Sequence, residues 1–157
     1  MKAIWAREES APGGGEIGPK VDGGPSILIG ALTEPALRRV GRLGDGFLAA
    51  PDPAEEVARK FEIVREAWAE AGRPGSPRLV GGLYYALGNI ERGRAYMRSY
   101  YAFTDDKAEL WAESMIANPQ GIRDAIRDFA AIGMDELLFH PCDPDLSEVD
   151  RLADVVS

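Results

Sequence analysis

The chain has 157 residues, 45% hydrophobic and 28% charged, with a formal net charge of −8. That length suits one domain with a sizeable core, and the acidic balance excludes a surface built for nucleic acid or for anionic membrane. One cysteine, Cys142, excludes an internal disulfide and fits a reducing cytoplasm, and no apolar run nears the ~20 residues of a bilayer span.

Residues 1–24 read as a Gly/Pro-rich lead-in, clearest in APGGGEIGPKVDGGP, and residues 25–157 as the domain. The first ten residues lack the apolar segment of a secretory leader, so a cytoplasmic location is expected. The short apolar run SILIG predicts a first strand. Thr33 stands where a helix N-cap would, Glu34 and Pro35 suit a first turn, and Leu37, Val40 and Gly41 would face inward. Gly44-Asp45-Gly46 ends that helix and turns the chain into GFLAA, a second strand, with Asp45 free to accept from local amides. PAEEVARKFEIVREAWAEAG carries the strongest helix signal. Val57, Phe61, Val64 and Trp68 share one face, acids lead, and Gly72 stops it.

RPGSP is a turn, and RLVGGLYYAL is a third strand whose Gly81-Gly82 pair predicts a bulge or a close approach. Two helical stretches follow, RAYMRSYYAF and DKAELWAESMI, broken near Thr104. Asn118 and Pro119 open a helix with Ile122, Ile126 and Phe129 as its stripe and Gly133 as its end. ELLFH is a fourth strand. Ser147 is placed to cap a last helix with Val149, Leu152 and Val156 on one side.

Strands alternating with helices predict an α/β fold with parallel pairing through crossover helices. The strands are continuous apolar runs, as in a parallel sheet with helices on its outer face and something else on its inner face. Gly30 ends a strand just before a helix N-terminus. Amides there point outward and the helix dipole favours an anion such as a phosphate. Glycines also occupy such turns for steric reasons alone, and spacing by itself favours that plainer explanation.

Together PSILIGALTEPALRRVGRLGDGFLAA, the helix ending EAGRPGSP, and IGMDELLFHPCDPDLSEVDRLADVV resemble the C-terminal half of luciferase-like monooxygenases, from about Trp5 onward. The resemblance implies half of a (β/α)8 barrel, its four strands being the last four, without the first four that carry most flavin-ring contacts and acid/base residues. It implies a flavin- or deazaflavin-dependent oxidoreductase, with FMN or coenzyme F420 held weakly or not at all by the isolated chain. The family's Gly-Gly after this strand contributes backbone contacts near the cofactor phosphate. The matching positions are Gly30 and Ala31, and the alanine methyl narrows the approach.

His140, the sole histidine, falls at the C-terminal end of the fourth strand, where barrel active sites sit. It is a candidate for substrate binding or proton transfer, or a plain structural histidine. The run HPCDPD gathers His140, Cys142, Asp143 and Asp145, but its spacing matches no familiar metal site, so no metal is expected. Cys142 has no evident activating base. Of Tyr84 and Tyr85 one should point into the barrel and one out. Trp68, Trp111, Phe61 and Phe129 read as core.

Four strands leave two free edges and an open inner face, toward which some of Leu28, Leu48, Leu83 and Leu138 must point. A homodimer is therefore expected, pairing SILIG of one copy with ELLFH of the other. A small-molecule substrate is the other partner implied. The competing class is a non-catalytic half-barrel that associates without redox chemistry.

Overall fold

A computed structural model describes residues 24–104 and 107–157, so the lead-in predicted over 1–24 lies outside them except for Gly24. The elements run β1 (Leu28–Gly30), α1 (Glu34–Leu43), β2 (Gly46–Ala49), α2 (Ala54–Glu70), β3 (Arg78–Tyr85), α3 (Ile90–Tyr100), α4 (Lys107–Ser114), α5 (Pro119–Ala131), β4 (Glu136–Pro141) and α6 (Ser147–Val156), with a single 3-10 turn at Ala102–Thr104. This is the predicted order, including the break near Thr104.

The four strands form one sheet in chain order, every pair parallel. Registers run Gly30 to Leu48 to Val80 to Glu136 on one side, and Ile29 to Phe47 to Leu79 on the other. The period of two along each strand therefore sorts the side chains into two faces. Ile29, Phe47, Ala49, Leu79 and Leu137 meet Leu37 and Val40 of α1, Val57, Phe61 and Val64 of α2, and Phe129 of α5. That is the main core, and it lies entirely on the helix-covered side. A second cluster joins Ala86, Met97, Ala112 and Met115, with Tyr84, Tyr101 and Trp111 packed on it. Burying these apolar stripes at ~25 cal/mol per Å2 is what makes the helices stable on the sheet.

Helix α1 buries Leu37, Val40 and Gly41, and α2 buries Val57, Phe61, Val64 and Trp68, as their patterns predict. Gly41 is where the two helices touch, since a Cβ there would run into the α2 backbone at Val64 and Trp68. The open carbonyls at the end of α1 receive Arg73, which donates to Gly41 O at 3.0 Å and Gly44 O at 2.5 Å while its guanidinium lies 3.5 Å over the Trp68 ring.

Several expectations are corrected. Thr33 occupies the N-cap position of α1 but makes no side-chain capping bond. Ser147 is inside α6, and Asp145 does the capping instead, accepting from both the Ser147 amide at 3.0 Å and its hydroxyl at 2.7 Å. Val149 and Val156 are exposed, so the α6 stripe is not its buried face; Glu148 is. Ile126 is also exposed. The Gly81-Gly82 pair makes no bulge, since β3 pairs with β4 without interruption from Val80 to Tyr85. It is a close approach: Met134 lies over Gly81 on the helix side and His140 over Gly82 on the other.

The N-terminal end of the sheet is closed by one device used twice. The Asp45 amide donates to Ile27 O at 2.8 Å, and its carboxylate accepts from the Ile27 amide at 2.8 Å. The Asp135 amide donates to Leu79 O at 2.8 Å, and its carboxylate accepts from the Leu79 amide at 2.7 Å. Each aspartate thus clamps the neighbouring strand just before its own begins. Asp45 reaches across to the strand preceding its own.

Candidate functional site at the C-terminal end of the sheet

At the opposite end the strands finish in two grooves. The first, about 570 Å3, is lined by Gly30, Ala31, Leu32, Thr33, Ala36 and the Leu48–Ala50 segment. Gly30 is exposed, and a Cβ there would meet only Leu48 O at 3.6 Å, an ordinary contact. Its backbone conformation is not left-handed, so what it contributes is room. The Ala31 side chain packs against the main core. The groove ends at the first turn of α1, ten residues long, whose leading amides have no side-chain cap. Pro35 removes one of them, and the Glu34 carboxylate is drawn off by Arg38 at 3.3 Å. What remains is a small concave surface of backbone amides and apolar walls, of the kind that accepts a phosphate at its mouth and a flat ring along its side.

The second groove, about 290 Å3, is lined by Tyr84, Tyr96, Met97, Tyr100, His140, Pro141 and Cys142. Tyr84 and His140 are register partners on β3 and β4, with ring centroids 5.8 Å apart. Gly82 makes this possible, because a Cβ there would strike the imidazole. His140 is exposed at the groove mouth, so it does not serve as a core histidine. The Tyr84 hydroxyl lies 2.7 Å from that of Tyr101, whose ring stacks on Trp111 at 5.4 Å and 22°. Burial and the Tyr84 hydroxyl push the Tyr101 phenol well above its usual range, so it keeps its proton. Tyr85 points the other way, fully buried, and donates to Glu148 O at 3.1 Å.

Beneath this groove lies a polar latch that sequence reasoning missed. Glu148, fully buried, accepts from the Leu87 and Gly88 amides at 2.7 Å each and from Arg151 at 3.0 Å. Asp143, also buried, is held by Arg92 at 2.6 Å. Both carboxylates lie in the stretch HPCDPDLSE, which shows no periodicity that would mark them. The aromatic cluster was more legible: in RAYMRSYY, Tyr96 and Tyr100 are four apart and so are Met97 and Tyr101, which places each pair on one helical face.

Of the sequence candidates, Gly30 and Ala31 line the first groove and His140 the second, with no shared contact between them. Cys142 is half-buried beside His140, and burial pushes its thiol up to about 11. Among the described residues no group of three or more His, Cys, Asp or Glu is arranged to hold a metal ion, and no helix is long and apolar enough to cross a membrane.

A protein of Mycobacterium tuberculosis (strain H37Rv) of uncharacterized function is 29% identical over 89 residues, a match covering 51% of this chain and 31% of that protein. A Mycobacterium bovis protein gives the same figures. Among solved structures, a secondary alcohol dehydrogenase dependent on F420 and bound to an F420–acetone adduct superposes with a TM-score of 0.69 at 14% identity, covering 87% of this chain and 49% of that one. A monooxygenase of Streptomyces bottropensis gives 0.65 at 20% identity, covering 98% and 55%. A riboflavin lyase with modified FMN gives 0.63 at 16% identity, covering 85% and 42%. The chain thus spans about half the length of the barrel proteins whose fold it shares, and about a third of the curated relatives. The model of luciferase-like monooxygenases matches residues 1–136, and the chain belongs to that family.

Proposed function

We propose that this chain supplies the C-terminal half of a flavin- or deazaflavin-dependent oxidoreductase barrel, with the cofactor phosphate on the Gly30–Ala31 turn and the first turn of α1. The observation that carries the reading is the groove there: an open glycine, uncapped amides and apolar walls at the C-terminal ends of parallel strands. FMN or F420, when bound, would supply the hydride and electron chemistry. The chain's own part is to fix the phosphate and wall the ring with Leu48. His140, exposed at the end of β4, is the residue here best placed to hold or pass a proton near a substrate.

Where these residues stand alone as a chain, a second copy is the simplest way to close the barrel. Among the described residues β1 and β4 are the sheet edges, and Leu48 and Leu138 stand exposed on the face opposite the helices. Closure would bury on the order of 2,000 Å2. Sedimentation at micromolar concentration is expected to give a species heavier than the 17.0 kDa chain, and a cooperative, monodisperse monomer would refute closure by a second copy.

The functional test is a fluorescence titration with FMN and with F420. One anion site without a full ring enclosure gives a dissociation constant between about 1 µM and 1 mM. Gly30→Val, which fills the groove, is expected to abolish it. No binding by the parent chain at millimolar FMN or F420 would leave the half-barrel without redox chemistry. That alternative is favoured by one observation: His140 is the lone imidazole and sits in the other groove.

A further inference from the structure

We propose that the groove between α3 and the end of β4 binds a neutral, planar aromatic compound that carries a hydrogen-bond-accepting oxygen, a carbonyl being the class that fits. The inference deepens the oxidoreductase reading by naming the class of substrate, and rests on that reading only for the word substrate.

The walls decide the ring. Three phenols, an imidazole and a thioether surround about 290 Å3, at the small end of the ~300–1,000 Å3 typical of ligand sites. Tyr96 and Tyr100 are 54% and 70% exposed on the side of α3, well beyond what core packing requires. Aromatic faces and edges, with the Met97 sulfur, favour a flat polarizable guest over a flexible chain.

The lining decides the charge. Among the described residues, no carboxylate, ammonium or guanidinium lines the groove. The nearest such groups along the chain are each engaged elsewhere: Arg98 with Glu109 at 2.6 Å, Arg94 with Glu91 at 3.0 Å, and Asp143 with Arg92 at 2.6 Å. A charged guest would therefore be desolvated without a counter-charge.

The paired hydroxyls decide the oxygen. Tyr101 is wedged between Trp111 and Tyr84, and among the described residues its hydroxyl pairs with that of Tyr84 at 2.7 Å. When Tyr101 donates to Tyr84, the Tyr84 proton is left for the groove. It can then be given to an acceptor oxygen beside His140, as a hydrogen bond with no transfer of the proton.

The test compares three probes by isothermal titration on the purified chain without cofactor. These are 2-acetylnaphthalene, 2-ethylnaphthalene with the same rings and no oxygen, and 2-undecanone with the carbonyl and no ring. The aromatic ketone is expected to bind about fivefold or more tightly than either other probe, the margin one neutral hydrogen bond provides. Tyr84→Phe is expected to erase its advantage over the hydrocarbon, and Tyr100→Ala to weaken both aromatics while Ile126→Ala on α5 changes neither. Tyr84→Phe removes a single oxygen, and Tyr100→Ala reports independently should that variant misfold. Failure of the ketone to bind, equal binding of the alkyl ketone, or an undiminished preference in Tyr84→Phe would each overturn the proposal. A chain that takes the ketone but neither FMN nor F420 would sink the oxidoreductase reading alone, and one that takes FMN or F420 but no ketone would sink this inference alone.

Discussion

The two ends of the sheet are built from the same four strands and treat their backbone in opposite ways. At the N-terminal end, Asp45 and Asp135 each tie both polar groups of a neighbouring residue, the Arg78–Glu136 ion pair spans β3 and β4, and Gly46 is pressed against the Arg78 carbonyl. At the C-terminal end Gly30 faces open space, Leu48 and His140 are exposed, and two grooves interrupt the packing. A barrel needs one end to hold the strands in register and can then leave the other free for ligands. Stability and binding should therefore be separable by position along a strand.

The sharpest way to break this contrast is to place the same methyl at each end. A Cβ on Gly46 would crowd the Leu28 side chain and overlap the Arg78 backbone oxygen, which cannot move away without separating β2 from β3. Gly46→Ala is expected to cost on the order of 3 kcal/mol or more, or to prevent folding. Gly30→Ala should stay within about 0.5 kcal/mol of the parent, since the added methyl meets only Leu48 O at an ordinary 3.6 Å. Urea midpoints decide it, and similar losses at both positions would refute the division between the ends.

Next in size are the clamps. Asp135→Ala leaves the Leu79 amide without its acceptor in a strand that is 2% exposed at that residue, and Asp45→Ala does the same for Ile27. Each is expected to lose about 1–3 kcal/mol. Asparagine keeps one acceptor oxygen, so Asp135→Asn should recover part of that loss. If alanine and asparagine were equally mild in thermal melts, the carboxylates would be ornaments on a turn and not fasteners.

A smaller effect sharpens the comparison, because part of the C-terminal end is also tied down. Burial alone would raise the Asp143 carboxyl, but the Arg92 guanidinium and the Asp145 amide outweigh it and hold it below the usual carboxylate range. A depressed carboxyl stabilises the fold above its unfolded value, about 3.9, and that contribution is lost as pH falls through the folded value. Asp143→Asn should thus be less stable than the parent at neutral pH, with the gap closing below about pH 3. A gap that stays constant on acidification would mean the ion pair contributes nothing there.

How much of this was legible depended on whether a feature repeats. Helices α1 and α2 announce their buried faces at Leu37, Val40, Val57, Phe61 and Val64 because periodic burial leaves a periodic pattern. Parallel pairing followed from the alternation of strands and helices, the order of the strands in the sheet from the resemblance to a barrel, and Gly81-Gly82 carried a true signal of close approach. The inward faces of α5 and α6 misled, since Ile126, Val149 and Val156 are exposed while α6 buries Glu148. A carboxylate that accepts from backbone amides has no sequence period, because its partners at Leu87 and Gly88 lie some sixty residues away. The same holds for the site. Gly30 could be read from its place before a helix, but joining Tyr84 and His140 to Tyr96 and Tyr100 required the register of β3 with β4.

The smallest expected effect is a rate, and it probes how firmly the open end is formed. Cys142 lines the aromatic groove, and its thiol leans on the His140 carbonyl oxygen at 3.8 Å. Burial pushes it from 9.0 up to about 11, so it is neutral across the physiological range, and its stabilising share fades only as pH rises from about 9 toward 11. Two units mean about a hundredfold less thiolate than a free thiol at pH 8. Labelling by a disulfide reagent should be slowed by about that factor in the folded chain and should rise to the free-cysteine rate in urea. A folded chain that labels as fast as free cysteine would show that the β4 end opens on its own, and that the two ends differ by local unfolding and not by packing.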